Sequence, residues 1–479
     1  MGTHTEQVDT VYKDEIASVL LDLKRKKENI TFVDVFDELK DTVVNSFEDG
    51  DTLQSFESSW MKRVSSVAAL MSIRLEGSST RNKTWKAITE RLVAKDSNNV
   101  EASTTDTAPS STRSSSASGR LDATDKEQIE DTFNNLDESK MWVLSTGTVV
   151  EKQMKALALA SNFDHPCHSL ILDPDDDNWT DYFTKEELHE IRAFRRYKLK
   201  ELPGEVVEYL SSFGNVEDAK DCYKQAFQTF FNPSEQPDLS WIQFSFIRCA
   251  RFFFKTGTID FSNMTEADLS RVWDFIATAF DTSQVRAVYG EKASNATSNG
   301  RNKKRKLEAI EPRKRSFIGS KVDLLFTTAS GEELGCNEVG IVKNDNSTKE
   351  LNDGRVKQLK TLKAMLCQLA SQSPSFARQL RTVGYTIMGP KVNMILMDFP
   401  AGYVCRVTRT GNLYFPGDSR QFVRGMKPLM ALAWHGKSAM EESLSLMLND
   451  REDIRIEFTG SSANDAMIPP CFWRSYRSL

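Results

Sequence analysis

The sequence predicts an α+β multidomain protein: helical N-terminal and middle regions, then a C-terminal mixed β-sheet flanked by helices. Three observations carry this. Up to about residue 290, apolar residues recur at helical spacing. From Lys321 the period switches to two, in a segment rich in Val, Leu, Phe and Thr. Beyond that point the segments run β-β-α-β-β-β-α, which suits one mixed sheet with helices packed on it. The expected boundaries are a helical domain over 1–97 and a Ser/Thr-rich linker over 98–125. A helical, aromatic-rich domain over 126–290 and a basic linker over 291–316 follow. An α+β domain over 317–455 and a tail over 456–479 complete the chain.

Taking the chain in order, Ile16, Val19, Leu20 and Leu23 share one helical face. Val33, Phe36, Leu39, Val43 and Phe47 repeat the pattern over Thr31 to Phe47. Ser55 to Leu75 and Thr84 to Leu92 form two further helices. These read as a packing or oligomerisation module. The linker STTDTAPSSTRSSSASGR lacks apolar residues to bury, so it is expected to stay unfolded. Lys126 to Leu136 and Val149 to Ser161 are the next helices.

The stretch HPCHSLILDPDDDNWTDYFTKEELHEI then invites two metal readings, and both yield to plainer ones. Asp173, Asp175, Asp177 and Asp181 fall at positions 1, 3, 5 and 9 of a calcium-loop template. Asn178 stands where that loop needs Gly, and Thr184 where it needs a bidentate Glu. Thr184 followed by Glu187 instead fits a capping box. His165, Cys167 and His168 straddle Pro166 and share no helical face, so a structural turn is expected there rather than a metal centre. Glu205 to Tyr209, Glu217 to Phe231, Trp241 to Phe254 and Glu266 to Phe280 complete the helical block. Trp241, Phe244, Ile247 and Phe252 to Phe254 read as its core.

Composition bounds the function. A net charge of −6 over 479 residues gives the whole chain no general attraction for nucleic acid, so any such attraction must be local. Seven scattered cysteines with no CxxC pair argue against a disulfide framework or a zinc ribbon and fit a reducing compartment. No run is apolar enough for a signal peptide or a membrane span. The local positive charge is one segment, with Arg301, Lys303, Lys304, Arg305 and Lys306, then Arg313, Lys314 and Arg315. Two basic clusters across a short spacer form a bipartite nuclear-import pattern, and the same charges could hold phosphates.

In the last domain, KVDLLFTT and EELGCNEVGIV read as a hairpin turning at Gly331. Gly354 to Leu369 is an amphipathic helix with Arg355, Lys357, Lys360 and Lys363 flanking its apolar face. Strands over Arg381 to Met388, Val392 to Phe399 and Tyr403 to Thr410 precede a closing helix over Met426 to Leu448. The hairpin carries Asp323 on its first strand and Glu338 on its second.

This order, with an acid on each of two adjacent strands, resembles the restriction-endonuclease-like PD-(D/E)xK superfamily over about residues 317–450. The resemblance implies Asp323 and Glu338 as Mg²⁺ ligands, with Gln358 or Lys360 assisting from the helix. The lysine expected two residues after Glu338 is Gly340 here, and Lys343 lies on the opposite strand face unless a bulge turns it. More widely, VLSTGTVVEKQM, the HPCHSLILD segment and the hairpin resemble a group of uncharacterised proteins repeated in Mucorales-type fungal genomes. That likeness implies a nuclear protein of mobile-element character.

The expected function is therefore a nuclear nucleic-acid- or protein-binding protein whose nuclease-like domain has lost its chemistry. It would need no cofactor, and its partners would be DNA or RNA and an import receptor. The alternative is a Mg²⁺-dependent DNA endonuclease using Asp323 and Glu338, with Lys343 or Lys360 in the lysine role. A further alternative is a helical interaction scaffold in which both acids are solvated strand residues.

Overall fold

The computed structural model describes residues 12–27, 29–46, 53–76, 120–302, 317–341, 356–454 and 468–473. The chain divides into two compact units, 1–117 and 118–479.

In the first unit, α1 (Lys13–Lys26), α2 (Phe32–Glu38), α3 (Lys40–Asn45) and α4 (Leu53–Leu70) bury Ile16, Leu20, Phe36, Val43 and Trp60. The predicted Thr31-to-Phe47 helix is split at Leu39. Thr31 opens α2 with a reciprocal capping box to Asp34. A short parallel pair, β1 (Ile30–Thr31) with β2 (Leu75–Glu76), closes the described part of this unit. The Thr84-to-Leu92 helix and the Ser/Thr-rich segment from 98 to 119 lie outside the described residues.

The second unit begins with α5 (Ala123–Asn134) and α6 (Val150–Ala160), then strand β3 (Ile171–Leu172). Six helices follow: α7 (Lys185–Ala193), α8 (Gly204–Ser212), α9 (Ala219–Phe227), α10 (Pro237–Ala250), α11 (Glu266–Val272) and α12 (Phe275–Thr278). Next come β4 (Arg286–Ala293), α13 (Asn295–Asn302), β5 (Lys321–Thr327) and β6 (Glu333–Gly340). Helix α14 (Gln358–Gln372) leads to β7 (Arg381–Met388), β8 (Lys391–Ala401), β9 (Val404–Arg409) and β10 (Leu413–Tyr414). Helix α15 (Phe422–Ile454) closes the fold.

The eight strands form one mixed sheet in the order β3-β9-β8-β7-β6-β5-β4, with β10 pairing β8. β3 runs parallel to β9 and β6 parallel to β7; the other pairs are antiparallel. A parallel pair needs a crossover, and α14 supplies it between β6 and β7. The α+β reading holds: helical N-terminal and middle regions precede a mixed sheet packed with helices.

The expected border at residue 290 does not separate two bodies. β3 and β4, from the region read as helical, join the sheet edges, and one apolar core runs from Phe246 and Trp273 to Phe326, Met365 and Met440. Glu151 on α6 ties the regions further, accepting the Trp142 N–H at 2.9 Å and the Tyr403 N–H at 2.8 Å.

Other expectations are corrected. Residues 291–302 of the supposed linker finish β4 and form α13, because Glu333 caps that helix. Residues 468–473 of the tail are docked: Phe472 is buried and its N–H donates to the Ser169 hydroxyl at 3.0 Å. Phe244, read as core, is 57% exposed, since α10 buries the face bearing Trp241, Ser245 and Cys249. Lys360 and Lys363, read as flanking the apolar face of α14, are themselves buried because the turn before β3 lies against that helix. No helix among the described residues is long and apolar enough to cross a membrane.

Candidate functional site

The site grows from the way β5 and β6 part. Their antiparallel ladder runs from Thr327 to the Leu324/Asn337 pair and stops there. β5 stays with β4 through Val322 and Lys321, while β6 continues along β7 through Glu338, Val339 and Gly340. Asp323 and Glu338 occupy the next facing positions, at the mouth of this fork. The Asp323 carboxylate fills the gap, accepting the Val339 backbone N–H at 2.6 Å. It also lines a small recess with Trp273, Tyr289 and Asn337, whose buried amide oxygen has no hydrogen-bond partner among the described residues.

Glu338 is buried, and its carboxylate receives the Lys357 ammonium at 3.0 Å. Lys357 sits in a π-type turn at the head of α14, and its side chain remains 34% exposed, so the pair opens toward water. Gln358, the next residue, is buried. It donates to the Tyr385 carbonyl at 2.9 Å and accepts from the Thr386 hydroxyl at 2.7 Å, which clamps α14 onto β7. Its polar atoms are thus held by the sheet. Burial, with the Glu338 charge adding to it, pushes the neighbouring Cys336 thiol well up, so it stays protonated and inert.

Gly340 stands where the nuclease pattern requires lysine. Its partner across the parallel ladder is Met388. A Cβ built at Gly340 would lie 2.5 Å from the Met388 sulfur and 2.8 Å from its methyl carbon. The thioether fills the space that a side chain at 340 would need.

The other predicted residues are distributed as follows. Lys360 points away from the fork; its ammonium binds both Asp164 carboxylate oxygens at 2.8 and 2.6 Å, near the Phe472 and Trp473 rings. That pairing satisfies it inside the core. Lys343 lies outside the described residues, as do Lys303, Lys304, Arg305, Lys306, Arg313, Lys314 and Arg315. Arg301 is described, and it belongs to α13, with its guanidinium 4.0 Å over the Trp473 ring rather than in an open linker. In the sequence Lys357 reads only as a helix flank; its place three residues before Lys360 is compatible with either face, and only the register of α14 on β6 selects it.

The metal-like clusters resolve as turns. His165 accepts the Cys167 N–H through Nδ1 and reaches Asp176 through Nε2 at 3.0 Å. His168 accepts the His165 N–H and contacts the Ala158 carbonyl at 3.1 Å. Thr184 and Glu187 form the expected capping box. Among the described residues no group of three or more His, Cys, Asp or Glu side chains could hold a metal ion.

A hard divalent cation needs oxygen donors. At the fork it would meet two carboxylates, one serving a backbone amide and the other an ammonium. Both carboxylates are therefore already engaged by the protein, which any incoming cation would have to displace. No family model, curated protein or solved structure matches the chain.

Proposed function

We propose that the sheet domain is a restriction-endonuclease-like domain that binds nucleic acid without cutting it, in a protein that acts in the nucleus. The observation that carries this reading is the Met388 thioether packed into the lysine position at Gly340. A nuclease of this type needs an amine there to stabilise developing charge. Here the amine at the fork, Lys357, neutralises Glu338 instead.

The topology supports the reading as well. An antiparallel β4-β5-β6 meander, the α14 crossover and the parallel strand β7 are the scaffold on which such acids would sit. Fold can persist after chemistry is lost. The sequence between α13 and β5 supplies the positive charge, with seven Lys and Arg between Lys303 and Arg315 in a chain that is acidic overall. That charge is joined directly to the strand bearing Asp323, where phosphate neutralisation would supply the affinity. The same bipartite segment would serve import.

Fluorescence anisotropy with a labelled 20-base-pair duplex tests the binding. The full chain should bind it, with affinity that falls as salt rises. Replacing Lys303 to Lys306 by Ala should weaken binding and flatten that salt dependence. Binding that is absent, or indifferent to this replacement, would contradict the reading. In cells, a fluorescent fusion with the same replacement should lose nuclear enrichment.

A further inference from the structure

A second surface, on the helical layer and independent of the fork, carries its own signature. Phe227, Phe244 and Phe254 are exposed by 59%, 57% and 39%, and Phe230, just after α9, by 82%. Large aromatics left in water on neighbouring elements are uncommon and mark contact sites. Two of them belong to one ring cluster. Tyr223 of α9 bridges Phe227 and Phe254, with ring centroids 4.7 and 4.9 Å away.

Cations are interleaved with the rings. On α10 and the turn after it, Phe244, Arg248, Arg251 and Lys255 recur at i, i+4, i+7 and i+11, and all four are exposed. On α9, Lys220 and Lys224 are exposed one turn apart. Asp221 pairs with Lys224 and Asp274 with Arg248, and Lys220, Arg251 and Lys255 are exposed beyond these two pairs. From Asp218, which caps α9, to Lys255 the segment holds five Lys and Arg against four Asp and Glu, so the cations are a local arrangement in a chain whose net charge is −6.

We propose that this α9–α10 face is a stacking platform for single-stranded nucleic acid. Exposed rings offer flat faces to unstacked bases, and the flanking cations track the phosphates. A duplex keeps its bases stacked on each other and cannot use the rings, so the surface should prefer single strands. A purely apolar protein partner would gain nothing from these exposed cations.

The probe is a fluorescein-labelled 20-nucleotide deoxythymidine strand, read by anisotropy with the full chain. Combined Phe227→Ala, Phe244→Ala and Phe254→Ala should weaken binding by about a hundredfold or more. The slope of affinity against salt should hardly change. Arg251→Ala with Lys255→Ala should reduce that slope by roughly 0.7 for each phosphate no longer neutralised. Phe→Tyr at the same three positions should retain binding, because a ring remains. All these side chains are exposed, and an unchanged circular dichroism spectrum confirms folding. Equal affinity of the Ala variant and the parent for the strand would overturn the proposal. So would an equal loss on the duplex, or a change only in self-association. Loss of duplex binding in the Lys303-to-Lys306 variant reports on the fork domain separately, so the two proposals fail independently.

Discussion

Two ion pairs on this sheet are alike in kind and differ in what they can do. Asp398 and Arg406 face each other on β8 and β9, bidentate at 3.1 and 2.5 Å, and Arg406 is 1% exposed. The same guanidinium also donates to the carbonyls of Ile191 and Phe194, each at 2.6 Å. Burial pushes the Asp398 carboxyl up, and the Arg406 guanidinium works against that rise. Glu338 and Lys357 meet at 3.0 Å, at a place where the ladder has opened and the ammonium reaches water. The first pair closes its surroundings and holds α7 against the sheet. The second stands at a mouth, where the proposed function would have its ammonium exchange Glu338 for a phosphate.

The comparison breaks most visibly at Arg406. Arg406→Leu leaves Asp398 buried without its counter-ion, and should cost about 3–5 kcal/mol in chemical denaturation. A loss below about 1 kcal/mol would mean that the pair is not closed. Glu333 offers an intermediate case on the same strand as Glu338. Its carboxylate takes the Ser294 hydroxyl and the Asn295 N–H, both at 2.6 Å, and the Ala296 N–H at 3.2 Å, anchoring the start of α13. Glu333→Ala should cost about 2 kcal/mol by leaving buried donors unmet, and should free the α13 segment to proteolysis.

Lys357→Ala should change stability by about 1 kcal/mol or less, since half-open pairs contribute little. Its effect should appear in duplex affinity instead. A stability loss as large as that of Arg406→Leu would assign Lys357 a structural role.

The smallest effect is one of pH. At the turn before β3, burial pushes the Asp176 carboxyl up, but the His165 ring and the Asn178 groups outweigh it and hold it down at about 2. An unfolded carboxyl of this type titrates near about 3.9. Its folded value is the lower one, so its stabilisation is complete above about pH 4 and is lost as pH falls toward about 2. Asp176→Asn should flatten the acid limb of the stability curve over that window by ~1 kcal/mol, allowing for the solvent that reaches the pair. An acid limb unchanged by this substitution would show that the turn does not depend on the pair.

Much of this layout is legible in the residues themselves. The strand segment KVDLLFTT, the Gly331 turn and the run Arg381 to Met388 coincide with β5, the hairpin and β7, although alternation maps onto burial only at the start of β5, since β6 and nearly all of β7 are buried on both faces. The capping box at Thr184 is legible for a similar reason, being set by local chemistry. What escapes is everything decided at long range. β3 is two residues long and owes its existence to β9. Lys360 and Lys363 read only as flanks of an apolar face, and nothing local shows that Asp164 and the Ser169 carbonyl will bury them. Phe244 looks like core because hydrophobicity does not reveal which face of α10 packs against the neighbouring helices. At the fork, the empty lysine position is visible as Gly340, whereas its occupation by Met388 depends on the parallel register of β7.

The central claim is that the fork binds without cutting, and strand scission tests it most directly. Purified full-length chain is incubated with supercoiled plasmid and Mg²⁺ or Mn²⁺, beside Glu338→Ala and Lys357→Ala. The account predicts no nicking above that of either variant, while the same preparations still retain DNA. Metal-dependent nicking by the parent, lost in both variants, would contradict it and make Lys357 the catalytic amine.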